Sequence, residues 1–372
     1  MDRARSRPRR ARVALSARGL LVAGVLAAAA GGGCQRSARE TAPAAANWQT
    51  DNPVVPLPTP PLGVPADFSA LKFVVTPEKV RLGRWLFYDP RLSNDGKVSC
   101  ATCHRPENAF SEPTPHSTGV GGQTGTRKAP TFVNGAWPLY DHFFWDGRAR
   151  SLIEQAQGPM ANPVEMGNTH EVVVSTVSGI AGYRRMFAAV YGNETIDIER
   201  IAEALAAYEA TRLSGNSPWD RYESGDRTAL SAAAKLGAEL FFGRAECSQC
   251  HVGWNFTDSK FHNLGIGWDA AAGVFADSGR VRVSGLAEDT GAFKTPTLRE
   301  VTKHAPYMHD GSIATLAETV EHYNRGGTPN PHLSPKVRPL GLSPREVEAV
   351  VAFMQALDGE GYLDTPPASF PQ

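Results

Sequence analysis

Two Cys-x-x-Cys-His motifs carry most of the chemistry in this chain: Cys100-Ala101-Thr102-Cys103-His104 and Cys247-Ser248-Gln249-Cys250-His251. Cysteines three residues apart meet one edge of a porphyrin and form thioethers to its vinyl groups. The adjoining histidine is then held under the ring as the proximal iron ligand. One such motif also fits a zinc half-site or a redox dithiol. Two of them, each ending in histidine and leaving only Cys34 of the five cysteines over, point to two covalent haem c groups. Cys100, Cys103, Cys247 and Cys250 are the expected attachment points. His104 and His251 are the expected iron ligands.

The elements around the motifs repeat. Leu82-Gly83-Arg84-Trp85-Leu86-Phe87-Tyr88 precedes the first and Leu236-Gly237-Ala238-Glu239-Leu240-Phe241-Phe242 the second. Phe110-Ser111-Glu112 and Phe256-Thr257-Asp258 follow them. Helices are expected from Pro77, a good first-turn proline, to Tyr88, and over 200–212, 228–242 and 344–357. Residues 119–130 and 326–339 read as loops. The glycine-rich stretch 263–290 reads as irregular with short strands. The predicted fold is mainly α: two cytochrome c-like domains, each with one covalently attached haem c. The first domain spans 67–220 and the second 221–362, with a tail over 363–372.

Haem c is attached outside the bacterial cytoplasm, so an export signal is expected. Residues 1–33 supply one: seven arginines from Arg3 to Arg18, then a short apolar run from Leu20. The alternative is lipidation at Cys34, which would tether the protein to a membrane. Residues 34–66 are rich in Pro and Ala and read as an extended linker. Lys+Arg and Asp+Glu balance at 38 each, so no nucleic-acid footprint appears. Loss of the basic leader would leave a mildly acidic protein, suited to a basic electron carrier.

The chain resembles the bacterial dihaem cytochrome c peroxidase family, MauG-type branch. The resemblance is carried by both haem motifs, Lys128-Ala-Pro-Thr-Phe-Val-Asn134, Phe144-Trp145-Asp146-Gly147-Arg148, Asn162-Pro163-Val164-Glu165-Met166, Phe293-Lys294-Thr295-Pro296-Thr297-Leu298-Arg299 and His309-Asp310-Gly311. It implies a periplasmic oxidoreductase that reduces hydrogen peroxide at the N-terminal haem. Electrons would come from a small cytochrome c or cupredoxin and pass through the C-terminal haem. It places Glu165 and Gln155 in the peroxide pocket as proton carrier and orienting amide. Trp145 becomes the aromatic bridge between haems, and Arg148 a partner for a haem propionate. The family's distal histidine position is Gly121 here, with His116 nearby but out of register, so the first iron is expected to be five-coordinate. The second iron's sixth ligand falls on Tyr323, with Met308, Met354 and His322 as rivals. Calcium between the haems is in doubt, because Lys128 replaces an asparagine ligand. A homodimer is compatible with all this. Two other functions stay open: a MauG-like enzyme that oxidises a partner protein, and a dihaem electron carrier without peroxide chemistry.

Overall fold

A computed structural model describes residues 48–372 apart from 66 and 137–139. The leader and Cys34 lie outside the described residues. The order of helices is α1 (Trp48–Asp51), α2 (Pro77–Tyr88), α3 (Cys100–Cys103), α4 (Leu152–Ala161), α5 (His170–Gly179), α6 (Ala181–Tyr191), α7 (Ile198–Ala210), α8 (Pro218–Glu223), α9 (Ala232–Phe242), α10 (Val281–Ser284), α11 (Leu316–Asn324) and α12 (Pro344–Gln355). Strand β1 (Phe261–Asn263) pairs antiparallel with β4 (Ala292–Lys294), and β2 (Trp268–Asp269) with β3 (Val274–Phe275). Two of these short strands, β2 and β3, lie within the glycine-rich stretch, and the other two, β1 and β4, flank it. The mainly α expectation holds.

Local chemistry sets the helix ends. Thr76 Oγ1 accepts from Lys79 N at 3.2 Å, with Pro77 in the first turn of α2. Asp197 accepts from Arg200 N at 2.8 Å at the start of α7. Ser231 accepts from Ala234 N at 3.1 Å, so α9 begins at Ala232 rather than at 228.

Two helix crossings organise the cores. α2 crosses α7, and α9 crosses α12. At each crossing a glycine meets the other helix's backbone. A Cβ on Gly83 would lie 1.8 Å from Ala204 O, and one on Gly237 would lie 1.8 Å from Ala349 O. Only glycine permits that approach. Trp85, Phe87, Phe110 and Tyr208 fill the N-terminal core, and Phe241, Phe256 and Phe353 the C-terminal one.

Both chain ends of the described region lie on the N-terminal half. Asn52, in the Pro-rich segment, is buried and donates to Arg81 O at 3.1 Å. The tail returns there too: Arg84 pairs with Asp364 at 2.8 Å, and Trp85 Nε1 donates to Ser369 O at 3.1 Å.

The repeat extends well beyond the haem motifs. Residues 128–134 correspond to 294–300: Thr131 Oγ1 donates to Ala109 O at 2.6 Å, and Thr297 Oγ1 to Asn255 O at 2.7 Å. Residues 143–149 correspond to 307–313, each closed by an antiparallel bridge, Phe143 with Ala149 and Tyr307 with Ile313. Between the halves the bonds are reciprocal. Lys128 N donates to His309 O, and Lys294 N donates to Trp145 O, both at 2.8 Å. Since Lys128 matches Lys294 and Trp145 matches His309, the junction has approximate two-fold symmetry.

Candidate active site: a paired cleft

Both motifs line one continuous cavity of about 900 Å³. His104 Nδ1 donates to Phe110 O at 2.8 Å, and His251 Nδ1 to Phe256 O at 3.0 Å. A carbonyl only accepts, so each ring carries its proton on Nδ1 and keeps the Nε2 lone pair for a metal. Burial pushes both imidazoles' pKa down, which keeps them neutral as ligation requires. Burial also pushes the Cys103 thiol up to about 11 and Cys247 to about 12. Both cysteine pairs line the cavity, each beside a histidine whose Nε2 is left for iron, an arrangement that suits thioether attachment of a porphyrin. The residues present therefore fit two haem c groups.

Cys250, Asp258 and His262 place their ligand atoms within 4.8 Å of one another. His262 Nε2 is already paired with Asp258 at 2.9 Å, and Cys250 belongs to the motif. The thiol of the trio thus belongs to the haem motif, and its imidazole and carboxylate are committed to each other.

Helices α4 and α11 are equivalent walls of the cleft. Ser151 caps α4 by accepting from Glu154 N at 3.0 Å, and Thr315 caps α11 through a capping box with Glu318. Leu152, Gln155, Ala156 and Pro159 of α4 face the cavity, at the helical spacing i, i+3, i+4, i+7. Leu316, Thr319, Val320 and Tyr323 of α11 do the same. Gln155 thus corresponds to Thr319, and Pro159 to Tyr323. Tyr323 faces the second motif: burial, then the nearby Cys250 and Cys247, push its phenol pKa up. Of its rivals, Met308 and Met354 line the cavity as well. His322 does not, and its Nε2 bonds to Leu264 O at 3.0 Å.

Glu165 lies on the cavity wall just beyond α4. Asn162 caps that turn and donates from Nδ2 to Glu165 Oε1 at 2.7 Å. Val120 N donates to Glu165 O at 2.9 Å. A Cβ on Gly119 would lie 2.1 Å from Val164 O, so this loop must carry glycine to lie against the turn. Burial pushes the Glu165 carboxyl pKa up, while Arg148 and Asn162 oppose the rise. Arg148 lines the cavity, is largely exposed, pairs with Asp146 at 3.0 Å and stacks 3.6 Å from the centre of the Phe144 ring. Neither Gly121 nor His116 lines the cavity.

Trp145 sits at the junction. Its Nε1 donates to Lys128 O at 2.8 Å, and its ring meets His309 edge-on with centroids 6.5 Å apart. The Lys128 side chain is buried and donates to the carbonyl oxygens of Glu112 and, at 3.5 Å, Thr114. An ammonium thus takes up carbonyl oxygens of the kind a calcium ion would need, and the residues at this position do not fit calcium. Sequence reasoning did not single out two cavity residues. His304 Nε2 and Glu209 Oε2 are buried with no hydrogen-bond partner among the described residues.

Residues 77–228 match the model of the "Di-haem cytochrome c peroxidase" family, and residues 234–358 that of "Cytochrome c". The chain is 41% identical over 289 residues to the methylamine utilization protein MauG of Methylorubrum extorquens, covering 77% of this chain and 80% of that protein. It is 37% identical over 289 residues to the cytochrome c551 peroxidase of Nitrosomonas europaea, covering 77% and 82%. The crystal structure of a MauG-like protein associated with microbial copper homeostasis superposes with a TM-score of 0.73 at 32% identity, covering 85% of this chain and 98% of that one. Motifs, paired clefts and relatives agree: the chain belongs to the di-haem cytochrome c peroxidase family and carries two covalent haem c groups.

Proposed function

We propose that this peroxidase-type oxidoreductase reduces hydrogen peroxide at the N-terminal haem, with electrons relayed through the C-terminal one. The observation that carries this is the pair Pro159 and Tyr323, at equivalent points of α4 and α11. Proline offers no ligand atom, so α4 would leave a haem held by His104 accessible to peroxide. Tyr323, as a phenolate, would be a hard anionic ligand for the second haem and would favour its oxidised state.

When bound, the haems supply the iron that takes up peroxide and the redox equivalents. The chain does the rest. The Gln155 amide donates to and accepts from the bound peroxide. Glu165 would take a proton from peroxide and return it to the departing oxygen. Its raised pKa brings it closer to the proton affinity that such a shuttle needs, and Asn162 fixes its direction. Arg148 stands at the cavity rim, where a propionate would find a guanidinium. Trp145, bonded to both halves, is the aromatic bridge for the electron. A small cytochrome c or a cupredoxin is the donor, and export places the enzyme in the periplasm.

Tyr323 also favours a second reading, in which the oxidising equivalents are spent on a partner protein. One experiment separates the two. Peroxide is added to the fully ferric holoprotein with and without reduced cytochrome c. Immediate turnover with the cytochrome supports the peroxidase. A long-lived oxidised spectrum that the cytochrome fails to discharge supports protein oxidation. A first haem that reacts only after the second is reduced, with a low-spin bis-histidine EPR signal at rest, overturns the open-site assignment.

A further inference from the structure

The two crossings align α7 with α12 residue by residue. Gly83 meets Ala204, and Gly237 meets Ala349. One residue further on, Leu205 and Val350 line the cavity; a turn later, so do Glu209 and Met354. The C-terminal half thus has an apolar thioether where the N-terminal half has a carboxyl. Glu209 is buried, and its Oε2 has no partner among the described residues. It lies close enough to Cys100 for its charge to raise that thiol's pKa. A buried, unpaired carboxyl normally has a reason to be there.

We propose that Glu209 is a redox-linked proton site of the N-terminal haem. A ferric porphyrin core has net positive charge and favours a carboxylate beside it. The ferrous core is neutral, and the buried anion then loses its partner. One electron from a reductant and one proton from solvent are therefore taken up together. The iron goes from ferric to ferrous, and the carboxylate becomes a carboxylic acid. Oxidation releases both. The step leaves the charge of the cavity unchanged, which is what a low-dielectric site requires.

Surrounding charges do not supply that balance. On α2, Lys79 is held by Glu203 and Arg84 by Asp364, each at 2.8 Å, and Tyr88 is buried beside Tyr208. Just past the end of α7, Arg212 lies 3.8 Å from Asp364 and donates to Thr211 Oγ1 at 2.9 Å. His170 of α5 bonds to Gln157 O at 3.0 Å. Cys100 of α3 is consumed by haem attachment, and Glu165 shares the cavity wall. Burial alone pushes the Glu209 pKa up, to about 8, so its titration falls in an accessible range.

The proposal rests on haem attachment at Cys100 and Cys103, not on which haem meets peroxide. It is tested by spectroelectrochemical titration of each haem in the holoprotein between about pH 6 and 10. The N-terminal potential should fall with rising pH, approaching ~59 mV per unit, the tenfold factor for a one-electron couple. Glu209→Gln should flatten that slope and leave the C-terminal haem unchanged; Glu209→Asp should keep it. Met354→Glu should create a slope at the second haem. Infrared difference spectra of the unmodified holoprotein should show a carboxylic acid band appearing on reduction. A flat wild-type titration with no such band overturns the proposal. So does a slope that survives Glu209→Gln and vanishes in Glu165→Gln.

Discussion

The N-terminal and C-terminal halves are the same device built twice, and their differences fall where the chemistry must differ. The proximal side is nearly identical: a histidine whose Nδ1 donates to a phenylalanine carbonyl, a threonine tying the next segment down, and a glycine-mediated helix crossing. The facing walls diverge. Gln155 stands against Thr319, Pro159 against Tyr323 and Glu209 against Met354. Duplication keeps the haem-holding frame, where any loss of fit lowers stability. It frees the facing wall to differ, polar with Gln155 and Glu209 on one side and carrying Tyr323 and Met354 on the other, as the proposed division of labour needs.

The largest expected effect comes from removing acid-base capacity on the open side. Glu165→Gln should slow the reaction with peroxide by roughly 10²–10⁴-fold, read by stopped-flow absorbance, with the resting spectrum kept. In the unmodified enzyme the rate should fall on acidification through an apparent pKa above the ordinary carboxylate range, because the protonated form cannot accept a proton. Glu165→Gln should abolish that limb. A variant that reacts at the native rate removes Glu165 from the mechanism.

Next comes a support found in one half alone. Arg299 is fully buried and grips Asp220 through two bonds, at 2.7 and 2.8 Å. Its N-terminal counterpart is Val133. Removing one partner of a buried pair costs about 3–5 kcal/mol, so Asp220→Asn should destabilise the C-terminal half by that order in denaturant titration. The shared crossings should respond alike. Gly83→Ala and Gly237→Ala should each cost about 1–3 kcal/mol, and more if the helices cannot separate. Unequal losses would mean that the halves are less alike than their geometry.

Tyr323→Phe should change the EPR and absorption of the C-terminal haem while the N-terminal signal stays put. An unchanged second haem would move the ligand to Met308 or Met354. The smallest effect concerns the junction. Chelation should leave both haem spectra unaltered, because Lys128 already serves its carbonyl neighbours. Lys128→Asn should make them respond to added calcium.

Much of this was legible in the chain. The haem motifs are local chemistry, readable wherever they occur. The four helices expected from periodicity are present because α2, α7, α9 and α12 each carry a strong apolar face with a capping residue or an N-terminal proline. Gly83 and Gly237 signalled a repeat because backbone contact tolerates no other residue. The equivalence of α4 and α11 was hidden. Gln155 and Thr319, or Pro159 and Tyr323, share no chemistry, and their common position follows only from common packing. Glu209 was hidden by its own helix, where a glutamate ordinarily faces solvent.

Sequence by itself determined that two haems are covalently held and that the two halves repeat one pattern. Covalent and backbone constraints are written residue by residue, so they survive without coordinates. Only the tertiary structure decided that Trp145 and His309 meet across an approximate two-fold junction, and that Lys128 places an ammonium among carbonyls. It alone set a carboxyl and a methionine at equivalent positions of α7 and α12 on the cavity wall. These depend on segments far apart in the chain converging, and on the desolvation that convergence imposes.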